Sequence, residues 1–210
     1  TPARRVYLLH SRLSIIDLGK RANQPLRVGS RLIIQNGELY NYQELKRGLE
    51  GAGHSFKTES DTEVLLTTIG RSDWQSLDQC EGMWAFAVYD EADGCLTLGR
   101  DRFGEKPLYF YRDTTGIYFG SEVKFIVALS GRPLKVNFQQ MYRYLVNGYK
   151  ALYKDGYTFF EGVSELTPST LLSIDSEGQE HEHRYWQPRF CPEDDMSYEE
   201  AVAGTRERML

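Results

Sequence analysis

Leu32-Ile33-Ile34-Gln35-Asn36-Gly37-Glu38-Leu39-Tyr40-Asn41 is an apolar run that meets a set of turn formers, and its reading decides the fold. A short apolar stretch bounded in this way predicts a buried strand over Leu32 to Gln35. The Asn36-Gly37-Glu38 that follows predicts a corner, because Gly37 lacks the Cβ that would keep a ligand away from the backbone. Two readings of that corner stand side by side. Asn-Gly most often closes a hairpin. The same corner would also present the Gly37 N–H and the Asn36 side-chain amide as two donors, the arrangement that stabilises an acyl-transfer oxyanion. Glu38 adds a negative charge within the same reach.

Outward from this stretch, Tyr7 to Ile16 is apolar but interrupted by His10, Ser11, Arg12 and Ser14, which predicts a strand with polar groups turned toward a cleft. Asn41 with Glu44 predicts an N-cap and a helix over about Tyr42 to Ala52, closed by Gly51 to Gly53. Ser60 with Glu63 predicts a second capping box, so Asp61 falls in the first turn of a helix ending near Gly70. From Met83 onward the texture becomes short strands: Met83 to Tyr89, Cys95 to Arg100, Pro107 to Arg112 and Ile117 to Ser121. Turns at Asp90 to Gly94 and Asp113 to Gly116 make these an antiparallel meander. Helices follow at Val123 to Leu129 and, capped by Asn137, at Phe138 to Val146. Extended structure is expected around Gly162 to Asp175 and His183 to Trp186. Helices on either side of a strand-rich middle predict an α+β fold. Ser197 with Glu200 opens a last helix that is still running when the chain stops at Leu210, so a longer parent is expected.

With 210 residues, the chain can bury one sizeable core. Its 25 basic and 30 acidic residues leave a net charge of −5, no excess of cation for phosphate, so nucleic acid is an unsuitable partner. No apolar stretch reaches membrane-span length and no signal peptide is visible, so a cytoplasmic protein is expected. Three widely spaced cysteines, Cys80, Cys95 and Cys191, suit a reducing compartment and read as buried, inert thiols. His181 and His183 share one strand face, yet no third ligand lies near, so a solvated strand is preferred to a metal site. Fourteen tyrosines and ten phenylalanines mostly alternate along strands, as core residues do. His10 reads as a structural hydrogen-bonding residue, not a base.

Taken in order, His10-Ser11-Arg12-Leu13-Ser14-Ile15-Ile16-Asp17, Gln24-Pro25-Leu26, Asn36-Gly37-Glu38-Leu39-Tyr40-Asn41, Ser60-Asp61-Thr62-Glu63, Gly82-Met83-Trp84-Ala85-Phe86-Ala87, Arg100-Asp101-Arg102-Phe103-Gly104, Pro107-Leu108-Tyr109 and Ser121-Glu122-Val123-Lys124 form one series. The series resembles the glutaminase domain of glutamine-hydrolysing asparagine synthetases, a class II glutamine amidotransferase of the N-terminal nucleophile hydrolase fold. That resemblance spans roughly Leu8 to Trp186. It implies a four-layer αββα sandwich lacking its first strand, over residues 1–190, with residues 191–210 as linker and start of a synthetase domain.

By the same resemblance, Arg12 matches the arginine that pairs with the α-carboxylate of glutamine, a task suited to a planar fork of donors. Asp61 and Glu38 match the groups that hold the α-ammonium, and Asn36 with the Gly37 backbone match the oxyanion hole. Arg100 and Asp101 are candidates for lining the site or an ammonia exit, beside the plainer reading of a salt-bridged turn. The family's nucleophile is an N-terminal cysteine whose own α-amino group takes the thiol proton. No cysteine stands near the start here. Thr1 is rejected for that role, because the family places its nucleophile well upstream of the His10 to Asp17 motif and Pro2 constrains the chain. The resemblance therefore implies a nucleophile upstream of Thr1, and no glutaminase activity for this chain alone. No cofactor is expected in the domain itself; ATP and Mg²⁺ are expected in the synthetase domain, which would take ammonia to aspartate. Two alternatives remain: ammonia delivered to a sugar or other acceptor, and a glutamine sensor without turnover. A homodimeric parent is left open.

Overall fold

A computed structural model gives the fold and describes residues 5–70, 74–149, 156–190, 192 and 195–210. Thr1, Pro2 and Cys191 lie outside the described residues. The apolar run around Ile33 forms strand β2, Arg31–Leu39, and the strand does not stop where the sequence predicts. It continues through Asn36, Gly37 and Glu38, which pair with Ala85, Trp84 and Met83 of strand β3, Gly82–Asp90. Neither a corner nor a hairpin forms there. The reason is close approach: Gly37 sits at φ 135°, and an added Cβ would lie 2.0 Å from the Met83 carbonyl oxygen. Glycine here lets two backbones close up inside a ladder.

A six-stranded antiparallel sheet runs in the order β1-β2-β3-β4-β8-β9. Its other members are β1 (Leu26–Val28), β4 (Cys95–Arg100), β8 (Thr170–Ile174) and β9 (Glu180–Arg184). A three-stranded sheet runs in the order β6-β5-β7, from β5 (Tyr109–Asp113), β6 (Gly116–Gly120) and β7 (Val163–Glu165). The expected single meander is thus cut between β4 and β5. The buried Asp101 carboxylate makes the cut, accepting the backbone N–H groups of Trp84, Phe103, Glu105 and Lys106 at 3.0–3.2 Å and folding the chain from one sheet to the other.

Helices α1 (Tyr42–Gly51) and α2 (Asp61–Thr68) cover one face of the large sheet. There Val64, Leu65, Leu66 and Ile69 pack with Ile33, Trp84, Phe86 and Leu171. The opposite face presents Ala85, Ala87, Leu98 and Leu172 to Leu108, Leu166, Phe110 and Phe119 of the small-sheet side. Phe110 and Phe119 pair across β5 and β6, so the alternate partners Tyr109 and Gly120 face outward. Helix α3 (Val123–Ser130) lies on that outer face, with Phe125 against Gly120. Helix α4 (Phe138–Asn147) follows it, joined through an edge contact of Tyr144 with Phe159. The order of layers is α, β, β, α, as the resemblance implies.

Capping differs from expectation at two helices. Asn41 does not cap α1; its side chain accepts from Glu81 N–H and donates to the Gln79 carbonyl. Ser60 caps α2 through Thr62 N–H, while Glu63 leaves the box and accepts from Lys57 and Thr58. Asn137 accepts from Gln140 N–H as expected, and the Ser197–Glu200 box is reciprocal at the start of α5, Tyr198–Met209. Among the described residues no helix is long and apolar enough to cross a membrane.

Cys80 is buried, and burial pushes its thiol up to about 12. Cys95 is only half-buried, at the end of a hairpin turn, so the expectation of burial fails for it. Strand β9 is exposed along its length, with His181 Nε2 3.6 Å from Asp175.

Candidate active site

The segment Tyr7 to Ile16 forms no strand. The edge of β2 it would have joined is already occupied by side chains. Gln24 Oε1 accepts Gln35 N–H at 2.6 Å, His10 Nε2 meets the Gln35 carbonyl at 2.9 Å, and Asp61 Oδ2 accepts Leu39 N–H at 3.0 Å. With those backbone groups satisfied, the edge cannot take a partner ladder.

Between Gln35 and Leu39 this edge opens into a hollow of about 230 Å³. That is small-molecule scale, below the ~300–1,000 Å³ of drug-sized ligand pockets. Arg12, Asn36, Gly37, Glu38 and Asp61 all line it, so the structure brings those five candidates together. Gly37 N–H faces it for a reason of register. Gln35 and Leu39 turn their N–H groups away from β3, and Trp84, opposite Gly37, bonds away from β2 to Asp101. Gly37 and Trp84 are thus a non-hydrogen-bonded pair, and the alternation of the strand carries Gly37 N–H to the open edge. Asn36 Nδ2 donates to Ser121 Oγ at 3.0 Å, which leaves its second N–H.

Asp61 reaches the hollow from the first turn of α2. Burial raises its carboxyl pKa, opposed by hydrogen bonds from Leu39 N–H, Thr62 N–H and the Gln35 amide, with Glu38 adding to the rise. The amide comes from Gln35 Nε2, 3.3 Å from Asp61 Oδ2. Arg12 is held by carbonyls: its Nη atoms donate to Ile16 at 2.7 Å, to Gly19 at 3.3 Å and to Asp17, and to Asn23 Oδ1 at 3.4 Å. Those bonds occupy the fork that a ligand carboxylate would use, so binding there means exchanging carbonyls for a carboxylate. Burial, with Arg12 nearby, lowers the His10 pKa against the opposing bond to Gln35.

Arg100 and Asp101 do not line the hollow. Arg100 donates to the carbonyls of Lys106, Leu166 and Gly104 and to Glu165, at 2.6–2.8 Å. Together with Asp101 it fixes the backbone of Lys106 from both sides, and Lys106 does line the hollow. The ion pair of this turn is Arg100–Glu165, not Arg100–Asp101. Sequence reading also missed Gln24 and Gln35 as site residues. The available signal was the period of two through Gln35, Gly37 and Leu39, which puts all three backbone groups on one edge.

The chain matches the glutamine amidotransferase domain family over residues 2–186. It belongs to that family. Glutamine-hydrolyzing asparagine synthetase 3 of Bacillus subtilis (strain 168) is 32% identical over 206 residues, covering 94% of this chain and 32% of that protein. Asparagine synthetase B, glutamine-hydrolyzing, of Escherichia coli (strain K12) is 41% identical over 123 residues, 57% of this chain and 22% of that one. A protein named amidase chry2, of Gibberella zeae, is 32% identical over 98% of this chain and 30% of its own length. The amidotransferase domain thus spans about a third of the curated relatives it matches over most of its length. Its fold is similar to a glutamine phosphoribosylpyrophosphate amidotransferase from B. subtilis, with a TM-score of 0.61, 24% identity, and coverage of 85% of this chain and 34% of that one. These neighbours have the N-terminal nucleophile hydrolase fold.

Proposed function

We propose that this domain is the glutaminase part of a glutamine-hydrolysing asparagine synthetase and binds free glutamine in the hollow beside β2. The observation that carries the proposal is the gathering of Arg12, Asn36, Gly37, Glu38 and Asp61 around one space of small-molecule size. Cation and carboxylates in that set match the two charges of the glutamine zwitterion, while Gly37 N–H and Asn36 match its side-chain amide oxygen. In this reading a cysteine thiolate attacks the amide carbon, the oxyanion rests on Asn36 and Gly37, and the C–N bond breaks to release ammonia and leave a thioester. Water then cleaves the thioester to glutamate and returns the thiol. Removing one oxyanion donor in such a site costs ~10² to 10³ in rate.

Among the described residues no cysteine lines the hollow. Cys80 belongs to the core between α2 and the large sheet, and neither it nor Cys95 lines the hollow. In this reading the 210-residue chain binds glutamine without hydrolysing it. Ammonia passes to a synthetase domain that uses ATP and Mg²⁺ to convert aspartate to asparagine, with residues 191–210 as the connection toward it. A cytoplasmic setting, consistent with free Cys80 and Cys95, completes the proposal.

Calorimetric titration with L-glutamine tests the binding step: saturable one-to-one binding is expected, with no glutamate released. Glutamate release by the purified chain, or no heat at millimolar glutamine, contradicts it. A second reading, ammonia delivered to a different acceptor, draws on the similarity to a protein named an amidase across nearly the whole chain. An acceptor screen on the complete parent protein separates the two.

A further inference from the structure

Two residues that line the hollow each carry a buried polar atom without a hydrogen-bond partner among the described residues: His10 Nδ1 and Gln35 Oε1. Gln35 is the more informative, because everything else about it is fixed. Its backbone N–H is taken by Gln24, whose Nε2 is anchored to Thr62 Oγ1 at 3.2 Å, and its carbonyl by His10. The residue is 3% exposed. Its amide orientation follows from Asp61: an ionised carboxylate only accepts, so the atom facing it is Nε2 and the atom left over is the acceptor Oε1. A buried amide oxygen without a donor is costly unless a ligand supplies one.

The ligand of the proposed function has such a donor. An α-ammonium carries three N–H donors and no acceptor. Asp61 and Glu38 provide two acceptors in the hollow, and a third is needed for complete satisfaction. Asp61 Oδ2 is already shared between Leu39 N–H and Gln35 Nε2, so it is not that third acceptor. We infer that Gln35 is a specificity-determining residue for the ammonium end of the ligand, its Nε2 holding Asp61 in place while its Oε1 accepts the third ammonium N–H. This rests on the glutamine reading. It adds a residue that the match of motifs does not supply.

A comparison of two ligands on two proteins tests it. The 210-residue chain and its Gln35→Met variant are titrated by calorimetry with L-glutamine and with glutaramate, which keeps the carboxylate and the side-chain amide but lacks the α-ammonium. Methionine keeps the length of glutamine without its polar atoms. Wild type is expected to prefer glutamine. In Gln35→Met, glutamine binding is expected to weaken by about ten- to a hundred-fold, the range for a hydrogen bond to a charged group, with glutaramate binding within about twofold of wild type. Equal weakening of both ligands gives Gln35 a merely structural role and overturns the inference. Should Gln35→Met fail to fold, Gln35→Asn, which draws the amide back by one methylene, carries the same comparison with the same expected split. Failure of the glutamine reading appears separately, in wild type alone, as no binding or no preference for glutamine over glutaramate.

Discussion

The two walls of the hollow are built differently. One is strand β2 with the start of α2, where Gly37 is locked against Met83 and Asp61 is tied to Leu39 and Gln35. The other is the irregular segment through His10 and Arg12, tied to β2 by His10 and to the loop of residues 16–23 by Arg12, with Leu9, Leu13 and Ile15 exposed. Regular structure thus carries the acidic groups and the Gly37 donor, while the single arginine sits on coil. Positions on elements covered by a core hold their geometry better than positions held by a few exposed contacts. The ammonium end of a ligand therefore meets a preformed site, and the carboxylate end meets a wall that must exchange its own carbonyl contacts.

That contrast can be broken hardest at Gly37. Alanine there combines a positive φ with a Cβ that meets the Met83 oxygen at 2.0 Å. Gly37→Ala is expected to cost about 3 kcal/mol or more of stability and to abolish glutamine binding, as read by urea unfolding and calorimetry. An unchanged unfolding midpoint would mean that β2 and β3 are less tightly closed than described.

Asp61→Asn tests the acidic wall through pH. Burial raises the Asp61 pKa in the folded state above its unfolded value of ~3.9, so the folded protein holds the proton more tightly. Its contribution to stability therefore falls as pH rises from the unfolded to the folded pKa, and is level above it. Asn has no proton to lose, so the stability of Asp61→Asn relative to wild type should increase across that window and then stay constant. Ligand binding runs the other way: wild-type affinity for glutamine should be lost as pH falls through the folded pKa, and Asp61→Asn should bind about ten- to a hundred-fold more weakly at neutral pH. A charge retained for binding at the expense of stability is a common feature of functional sites.

The coil wall should give the smallest effect. Arg12→Lys replaces a fork that reaches four oxygen atoms with a single ammonium. Hydrogen exchange over Ile16 to Asn23 should speed up and glutamine affinity should fall about tenfold, with global stability changed by less than about 1 kcal/mol. A large loss of global stability would make this segment part of the core and remove the contrast.

Much of this molecule is legible in its sequence where a signal is local. The strand around Ile33 and helices α1 to α4 follow from apolar runs, and the caps at Ser60, Asn137 and Ser197 form as their spacing predicts. The errors share one cause. Asn36-Gly37 reads as a turn because glycine's freedom is a local property, whereas its use against Met83 depends on a strand some fifty residues away. Asn41, Glu63 and the Tyr7 to Ile16 segment misled in the same way, since each had a distant or competing partner for the bond assigned to it. Arg100 and Asp101 drew notice as charges. Their work is to turn the chain between sheets and set Lys106 at the rim, which no spacing reveals.

The claim that these residues form one receptor for glutamine is tested most directly by amide chemical shifts of the 210-residue chain during titration with L-glutamine. Saturable shifts are expected at Gly37, Leu39, Asp61 and Thr62 and in the His10 to Asp17 segment, with β9 and α5 unmoved. No saturable change, or change confined to residues outside the hollow, would contradict it.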